Sequence, residues 1–370
     1  SLQYLASINI AASAFYLAII STLVLSAVLI AWMFNRHRAA LRSASPILAV
    51  IFALAMMGLD MRFNLPHSAK TESRFDSALQ QARMSPDAIA DRGKNLLIVM
   101  VEGLGAYARE SERDFLSGKL DALTESGRYT LTAGTTRFFG STTGAASREL
   151  CGRWGDFTDY LAGGAYDCLP RQLAERGFET IAIHGFTAAM FNRTHWYPKI
   201  GFTELNFDRE LIAAGDPAPD ARCGSVFKGL CDTDVAEFVG ARLHANPDRP
   251  KLVYWLTLNT HIPYVAKADG ALGCGTRDAA IANKTVCELT ELWGDVFDSV
   301  VEIAQSNNLP ETDILIVGDH HTPMWERDAK RSFVRGETDW YLLRAADKPE
   351  NENLAGSRVE DGRQTAALEK

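Results

Sequence analysis

Four short runs of nearly unbroken apolar residues set the first constraint on this chain: Asn95-Leu-Leu-Ile-Val-Met-Val101, Thr180-Ile-Ala-Ile183, Leu252-Val-Tyr-Trp-Leu-Thr257 and Asp313-Ile-Leu-Ile-Val317. Each has the length of a strand. None alternates apolar with polar as a half-exposed strand does, so both faces must be covered, as in a parallel sheet. Between them lie helix-like stretches, Ser111 to Ser126, Cys168 to Arg176, Asp232 to Ala245 and Cys287 to Ser306. Strands alternating with helices predict an α/β fold, a mostly parallel sheet sandwiched by helices. No internal repeat or low-complexity tract is present.

In open α/β sheets the ligand site lies beyond the carboxyl ends of the strands. Those ends read Glu102-Gly-Leu-Gly105, His184-Gly-Phe186, Asn259-Thr-His261 and Gly318-Asp-His-His321. Carboxylates, imidazoles and glycines thus collect where chemistry would be placed. Asp319-His320 offers one oxygen and one nitrogen ligand to a divalent metal. Taken alone it is equally a loop Asp capping the next helix beside an incidental His. Glu102 stands at the matching end of the first strand, and its competing reading is a solvated loop Glu. Gly140-Ser-Thr-Thr-Gly-Ala-Ala-Ser-Arg-Glu-Leu-Cys-Gly152 gathers small residues and hydroxyls at the opening of a helix, which leaves room for a hydroxyl nucleophile near a helix N-terminus. An ordinary Ser/Thr N-cap gives the same pattern.

The amino end differs in kind from the rest. From Leu5 to Phe34 no residue carries a charge, a run long enough to span a bilayer, for which roughly 20 apolar residues suffice. A second run extends from Pro46 to Leu59, placing the expected spans at about 5–34 and 46–61. Arg36, His37, Arg38 and Arg42 form a basic loop between them, of the kind retained in the cytoplasm. The chain after Asp60 is then expected outside the cytoplasm. This gives a transmembrane region over 1–66, a linker leading into a helix over 67–94 and a catalytic domain over 95–370. A signal peptide would be shorter, with a basic leader and a small-residue cleavage site.

All six cysteines, Cys151, Cys168, Cys223, Cys231, Cys274 and Cys287, lie in the expected exported domain, where an even number suits disulfides. Six cysteines allow fifteen connectivities. Cys223 with Cys231 and Cys274 with Cys287 are attractive as local staples. No CxxC pair supports a zinc site. The net charge of −8 argues against nucleic acid as a partner.

Taken in order and spacing, Asn-Leu-Leu-Ile-Val-Met-Val-Glu102, Gly-Ser-Thr142, Leu-Asn-Thr-His261 and Val-Gly-Asp319-His320 resemble the alkaline phosphatase superfamily. The likeness is greatest to its sulfatase-like membrane transferases: lipoteichoic acid synthases, glucan phosphoglycerol transferases and phosphoethanolamine transferases. It covers roughly residues 95 to 345. The resemblance implies that Glu102, Thr142, Asp319 and His320 hold one divalent metal, with Thr142 as the nucleophile that becomes covalently loaded. Manganese is the expected ion, with magnesium and zinc as alternatives.

His184 and His261 look like the family's substrate-contacting histidines, with His261 also in a catalytic role. Arg193, nine residues beyond His184, resembles an arginine suited to clamp a phosphate. Expected partners are a membrane phospholipid donor and a glycan or lipid acceptor at the cytoplasmic membrane, with the catalytic domain facing the periplasm or the exterior. The rival readings are a phosphodiesterase with water as acceptor and a catalytically silent membrane sensor.

Three features depart from the lipoteichoic acid synthase pattern. Phe191 stands where those synthases have Trp, the domain is rich in cysteine, and Thr143 adjoins Thr142, although the spacing to Cys151 favours Thr142 as nucleophile. No Cys-x-Pro-x-Arg motif is present, which argues against a formylglycine sulfatase.

Overall fold

A computed structural model of the chain describes residues 75–214, 222–324 and 326–347, with scattered helical residues between 21 and 55. The two apolar runs at about 5–34 and 46–61 lie for the most part outside the described residues. No helix among those described is long and apolar enough to cross a membrane.

The strands are β1 (Asn95–Val101), β2 (Tyr129–Arg137), β3 (Glu179–His184), β4 (Glu204–Asn206), β5 (Arg222–Cys223), β6 (Gly229–Leu230), β7 (Lys251–Leu256), β8 (Thr312–Gly318) and β9 (Glu337–Ala345). Seven of them form one sheet in the order β2-β9-β8-β1-β7-β3-β4, and β5 with β6 makes a small hairpin. Within the large sheet, β9 pairs antiparallel with β2 and β8, while the strands from β8 through β1, β7 and β3 to β4 pair in parallel. The principal helices are α1 (Pro86–Arg92), α2 (Glu110–Ser117), α3 (Thr142–Cys151), α4 (Leu169–Glu175), α5 (Arg193–Ile200), α6 (Asp232–His244) and α7 (Lys284–Gln305).

Period-two alternation divides the apolar side chains of each central strand between two layers. Leu97, Val99 and Val101 of β1 join Val253, Trp255, Ile314 and Ile316 in a core shared with α6 and α7. Leu96, Ile98 and Met100 face the other way, with Tyr254, Leu256, Leu315 and Val317, onto α3, α4 and α5. Helices cover both faces, as the unbroken apolar runs require.

Three expectations shift in detail. The helix read over Ser111 to Ser126 is divided into α2, a 3-10 turn at Gly118–Leu120 and a short helix Asp121–Glu125, with the poor helix former Gly118 at the break. Helix α7 starts before Cys287, at Lys284, because Asn283 caps it by accepting the Val286 amide at 3.1 Å. In the stretch read as a linker, the part from residue 75 holds the turn Ala78–Gln81 and α1. Its Ala78, Leu79, Met84 and Ile89 are buried in the same layer as the Leu96 face of β1.

All six cysteines are paired: Cys223–Cys231 and Cys274–Cys287 as local staples, and Cys151–Cys168 joining the end of α3 to the residue before α4.

The register of the sheet positions the site. Val101 pairs with Gly318, so Glu102 and Asp319 leave adjacent strands side by side. On the other flank His184 is level with Leu256 of β7.

Candidate functional site

Glu102 is fixed by its backbone before its side chain acts. Its amide donates to Thr257 Oγ1 at 3.0 Å, and its carbonyl accepts from Thr260 Oγ1 at 2.6 Å and Trp293 Nε1 at 3.2 Å. Gly103, at φ +68°, then turns the chain so that its amide donates to Asp319 Oδ1 at 2.7 Å. The His320 amide donates to the same oxygen at 2.7 Å. A side chain at Gly318 would place its Cβ 1.9 Å from Leu104 O, so only glycine lets the two strand ends approach this closely.

Four side chains meet at this corner. Thr142 Oγ1 donates to Glu102 Oε2 at 3.2 Å. His320 Nε2 lies 3.2 Å from Glu102 Oε1 and 3.4 Å from Asp319 Oδ2. Glu102, Asp319 and His320 each offer a ligand atom within 4.8 Å of the others. Thr142 is the first residue of α3, whose cap is Ser141, with Ser141 Oγ accepting the Gly144 amide at 3.1 Å. The Thr142 hydroxyl is therefore not spent on capping. Thr143 points elsewhere: it is buried and donates to Asp156 Oδ1 at 2.5 Å.

The electrostatics of the corner fit a cation. Burial pushes the Glu102 carboxyl up, but the hydrogen bond and charge of His320, with His261 behind it, bring it well below the usual range. Burial and the Glu102 charge push Asp319 up. Burial also works against protonation of His320, yet the charges of Asp319 and Glu102 raise it to about 10. Two buried carboxylates thus require a nearby positive charge, and an imidazolium supplies it here. Asp319 Oδ2 is buried and has no hydrogen-bond donor. Two carboxylates, an imidazole, a hydroxyl and one unmet oxygen form a donor set suited to a divalent ion.

The second half of the site comes from β3, β7 and α5. His184 is buried, and its Nδ1 donates to Leu256 O at 2.9 Å, which leaves Nε2 as the lone-pair nitrogen. Burial, with the Arg193 charge behind it, drops its pKa to about 3, so the ring is neutral. Arg193 opens α5. It is 2% exposed, and its Nε has no acceptor. Its guanidinium lies 5.3 Å from the centroid of Phe191. His261 Nε2 is 4.0 Å from Glu102 Oε1, its Nδ1 is buried without a partner, and Phe227 of the β5–β6 hairpin meets its ring edge-on at 4.3 Å.

Four positioning residues escaped the sequence reading. Arg148, fully buried in α3, donates to Gly318 O at 2.9 Å and Asp319 O at 3.3 Å, and pairs with Glu149 at 2.7 Å. Glu149 in turn accepts the Ala78 and Leu79 amides, each at 3.1 Å. Asp156 holds the start of α3 through Ser141 Oγ at 2.9 Å and through Thr143. Asp232 accepts the Leu258 and Asn259 amides at 3.0 and 2.7 Å, fixing the loop that carries His261. The one available signal was the Ser-Arg-Glu tail of the Gly-Ser-Thr segment, two charges on a helix otherwise made of small residues.

A family model described as Sulfatase matches residues 94–341, well over half of the chain. No curated protein matches by sequence. The lipoteichoic acid synthase LtaP from Listeria monocytogenes is similar in structure, with a TM-score of 0.52 at 14% identity, over 68% of this chain and 65% of that one. The chain thus spans a little under two thirds of that protein. The phosphoglycerol transferase GacH from Streptococcus pyogenes, in complex with sn-glycerol-1-phosphate, aligns at TM-score 0.46 and 15% identity, over 74% and 75% of the two chains. The periplasmic domain of EptC from Escherichia coli, in complex with Zn, gives 0.46 at 16% identity, over 69% and 73%. At these identities the likeness speaks to the fold alone. With the family model matched from the start of β1 into β9, the chain belongs to the sulfatase family.

Proposed function

We propose that this protein is a metal-dependent transferase of the cell envelope. It takes the phosphorylated head group of a membrane phospholipid, phosphoglycerol or phosphoethanolamine, onto Thr142 and passes it to a hydroxyl of a glycan or lipid. The observation that carries this reading is the Thr142 hydroxyl at the start of α3, not spent on capping and donating to Glu102 at 3.2 Å, beside Asp319 and His320. Glu102, Thr142, Asp319 and His320 would hold the divalent ion, manganese by choice of ligands, with magnesium or zinc as alternatives. When bound, that ion lowers the pKa of the threonine hydroxyl and offsets phosphate charge.

In the first displacement Thr142 Oγ1 bonds to the donor phosphorus and the bond from phosphorus to the diacylglycerol oxygen breaks. Diacylglycerol departs with the proton that Thr142 loses. In the second, the acceptor oxygen bonds to phosphorus and the Thr142 ester breaks. His184 Nε2, neutral with its lone pair available, or His261 takes the acceptor proton, and a proton passes to Thr142 Oγ1 as its ester breaks, restoring the hydroxyl. Arg193 donates to the phosphate oxygens throughout, meeting the acceptor that its Nε lacks. The uncharged run from Leu5 to Phe34 supports anchoring at the cytoplasmic membrane, with the domain outside the cytoplasm.

The test is mass spectrometry of the Thr142 peptide after incubation with mixed phospholipids and metal. A mass increase matching glycerophosphate or phosphoethanolamine names the transferred group. An unmodified Thr142, with full donor turnover by Thr142→Ala, would overturn the scheme. Product release at the same rate without any acceptor glycan would make the protein a phosphodiesterase.

A further inference from the structure

Beside the corner that carries Thr142, the surface presents an aromatic ring that fills no core. Phe139, three residues before Thr142, is 66% exposed. Its ring lies across Gly336, where a Cβ would come within 1.9 Å of Phe139 Cε2, and its centroid is 6.4 Å from that of His321. The Phe138 amide donates to Gly336 O at 2.9 Å, so the backbone, rather than burial, sets the ring in place. Val334, on the loop leading to Gly336, is exposed as well. Trp154, also exposed, differs in resting on Phe75 and Phe138.

The segment that the ring rests on is rich in cations. Arg327, Lys330, Arg331 and Arg335 are all exposed on the segment that ends at Gly336. The carboxylates nearby have partners of their own: Asp328 neutralises Arg331 at 3.2 Å, Glu337 lies 3.8 Å from Arg137, and Glu326 accepts from Asn283 Nδ2 at 3.4 Å. Among the described residues Arg327, Lys330 and Arg335 have no ion pair. Val334 and Arg335 immediately precede Gly336, against which the Phe139 ring lies, and Lys330 is held to the same segment by its carbonyl, which accepts the Phe333 amide at 3.5 Å. On a chain of net charge −8, this is a local reversal of sign around an exposed aromatic ring. An amphipathic ring at headgroup level, flanked by basic side chains, is how proteins engage an anionic bilayer surface.

We propose that the rim formed by Phe139, Val334, Lys330 and Arg335 rests on an anionic lipid bilayer, so that a lipid head group enters the cleft from the membrane side. Phe139 sits among the headgroups and the cations lie over lipid phosphates. The proposal rests on the reading that the donor is a membrane lipid, and its test separates the two. Each basic side chain held at such a surface is worth about fivefold in surface partitioning at moderate salt.

The full chain is reconstituted in nanodiscs of phosphatidylglycerol or of phosphatidylcholine alone. All six cysteines are in disulfides, so Phe139→Cys supplies one thiol for a polarity-sensitive dye. Its emission is expected to shift to the blue in phosphatidylglycerol discs and to revert when Lys330→Glu and Arg335→Glu are added. Turnover of the bilayer-embedded donor is expected to fall about tenfold in Phe139→Ala and in the double charge reversal, while turnover of a short-chain, water-soluble phosphatidylglycerol holds. Absence of the shift overturns the proposal whatever the activity. Equal losses on both donors, or a loss that excess acceptor glycan restores, also overturns it, because the ring would then be contacting substrate. A shift with no turnover of either donor by the parent chain upholds the docking and fails the transferase reading.

Discussion

The two halves of the site differ in what each leaves unsatisfied. In the corner built by β1, β8 and α3, nearly every polar atom is engaged. Three bonds pin the Glu102 backbone, two amides hold Asp319 Oδ1, and Arg148 ties the β8 end to α3. The atom left over is Asp319 Oδ2, an acceptor. On the side built by β3, β7 and α5, the atoms without a partner include Arg193 Nε, a donor, and His261 Nδ1, besides Tyr254 OH and Trp255 Nε1 deeper in β7. Buried polar groups rarely go unmet without a reason. An unmet lone pair on one side and an unmet N–H on the other mark places for a cation and for an anion, one beside the other. Under the proposed function Glu102, Thr142, Asp319 and His320 would hold the divalent ion, and Arg193 would donate to the phosphate.

The strongest way to break this contrast is Asp319→Asn. Removing one charge from the corner should cost about 10³-fold in turnover, with bound metal falling in parallel by elemental analysis. In chelator the same variant should be the more stable protein, by about 1–2 kcal/mol, because two carboxylates no longer share one buried site. A parent chain that melts higher than the variant under chelation would show that the corner is not frustrated. Next in size, Arg148→Met leaves Glu149 buried without its partner and frees the Gly318 and Asp319 carbonyls. Breaking such a pair costs about 3–5 kcal/mol, read as a lowered unfolding midpoint. A loss below about 1 kcal/mol would mean that the corner does not depend on α3 for its shape.

The strand ends and the residues that support them were unequally legible in the sequence. The ends of β1, β3, β7 and β8 could be read because strands covered on both faces have no polar interruptions, so the residue after each run stands out. Strands β2 and β9 could not. β2 is an edge strand, partly exposed, with threonine at nearly every second position. β9 opens on Glu337-Thr-Asp339, whose burial is tolerated only through distant partners: Thr338 with Thr136 at 2.9 Å, and Asp339 with Arg113 at 3.2 Å and the Tyr107 amide at 3.1 Å. Arg148 was hidden for the same reason, since its acceptor Gly318 O is 170 residues away. Ligands at strand ends announce themselves through local pattern, whereas the residues that position them act across the fold.

The anion side is sharpened by Arg193→Lys. Lysine keeps the charge but loses the planar fork, so kcat/KM for the phosphate donor should fall about 10- to 100-fold, with metal content unchanged. That is the measurement on which the independence of the two halves depends. If metal is lost as well, the halves are one electrostatic unit and the contrast drawn from their leftover atoms fails.

The smallest expected effect concerns how the anion side keeps His184 neutral. Its folded pKa of about 3 lies below the ordinary value of 6.5, because burial and then the Arg193 charge oppose protonation. A depressed folded value means that the unfolded chain takes up the proton first. The contribution to stability is therefore complete above pH 6.5 and is lost as pH falls from there toward 3. One proton bound on unfolding corresponds to about 1.4 kcal/mol for each pH unit in that window. Melting curves at about pH 6.5 and one unit lower should separate by about 1 kcal/mol more in the parent than in His184→Asn, whose side chain does not titrate, because the unfolded histidine is half protonated at the upper pH. Protonation beside Arg193 carries a cost, and that cost keeps a lone pair on Nε2, which under the proposed function is available to an acceptor hydroxyl. If the variant shows the same slope as the parent, the ring is charged or solvated in the folded protein, and the acceptor's proton must go to His261 instead.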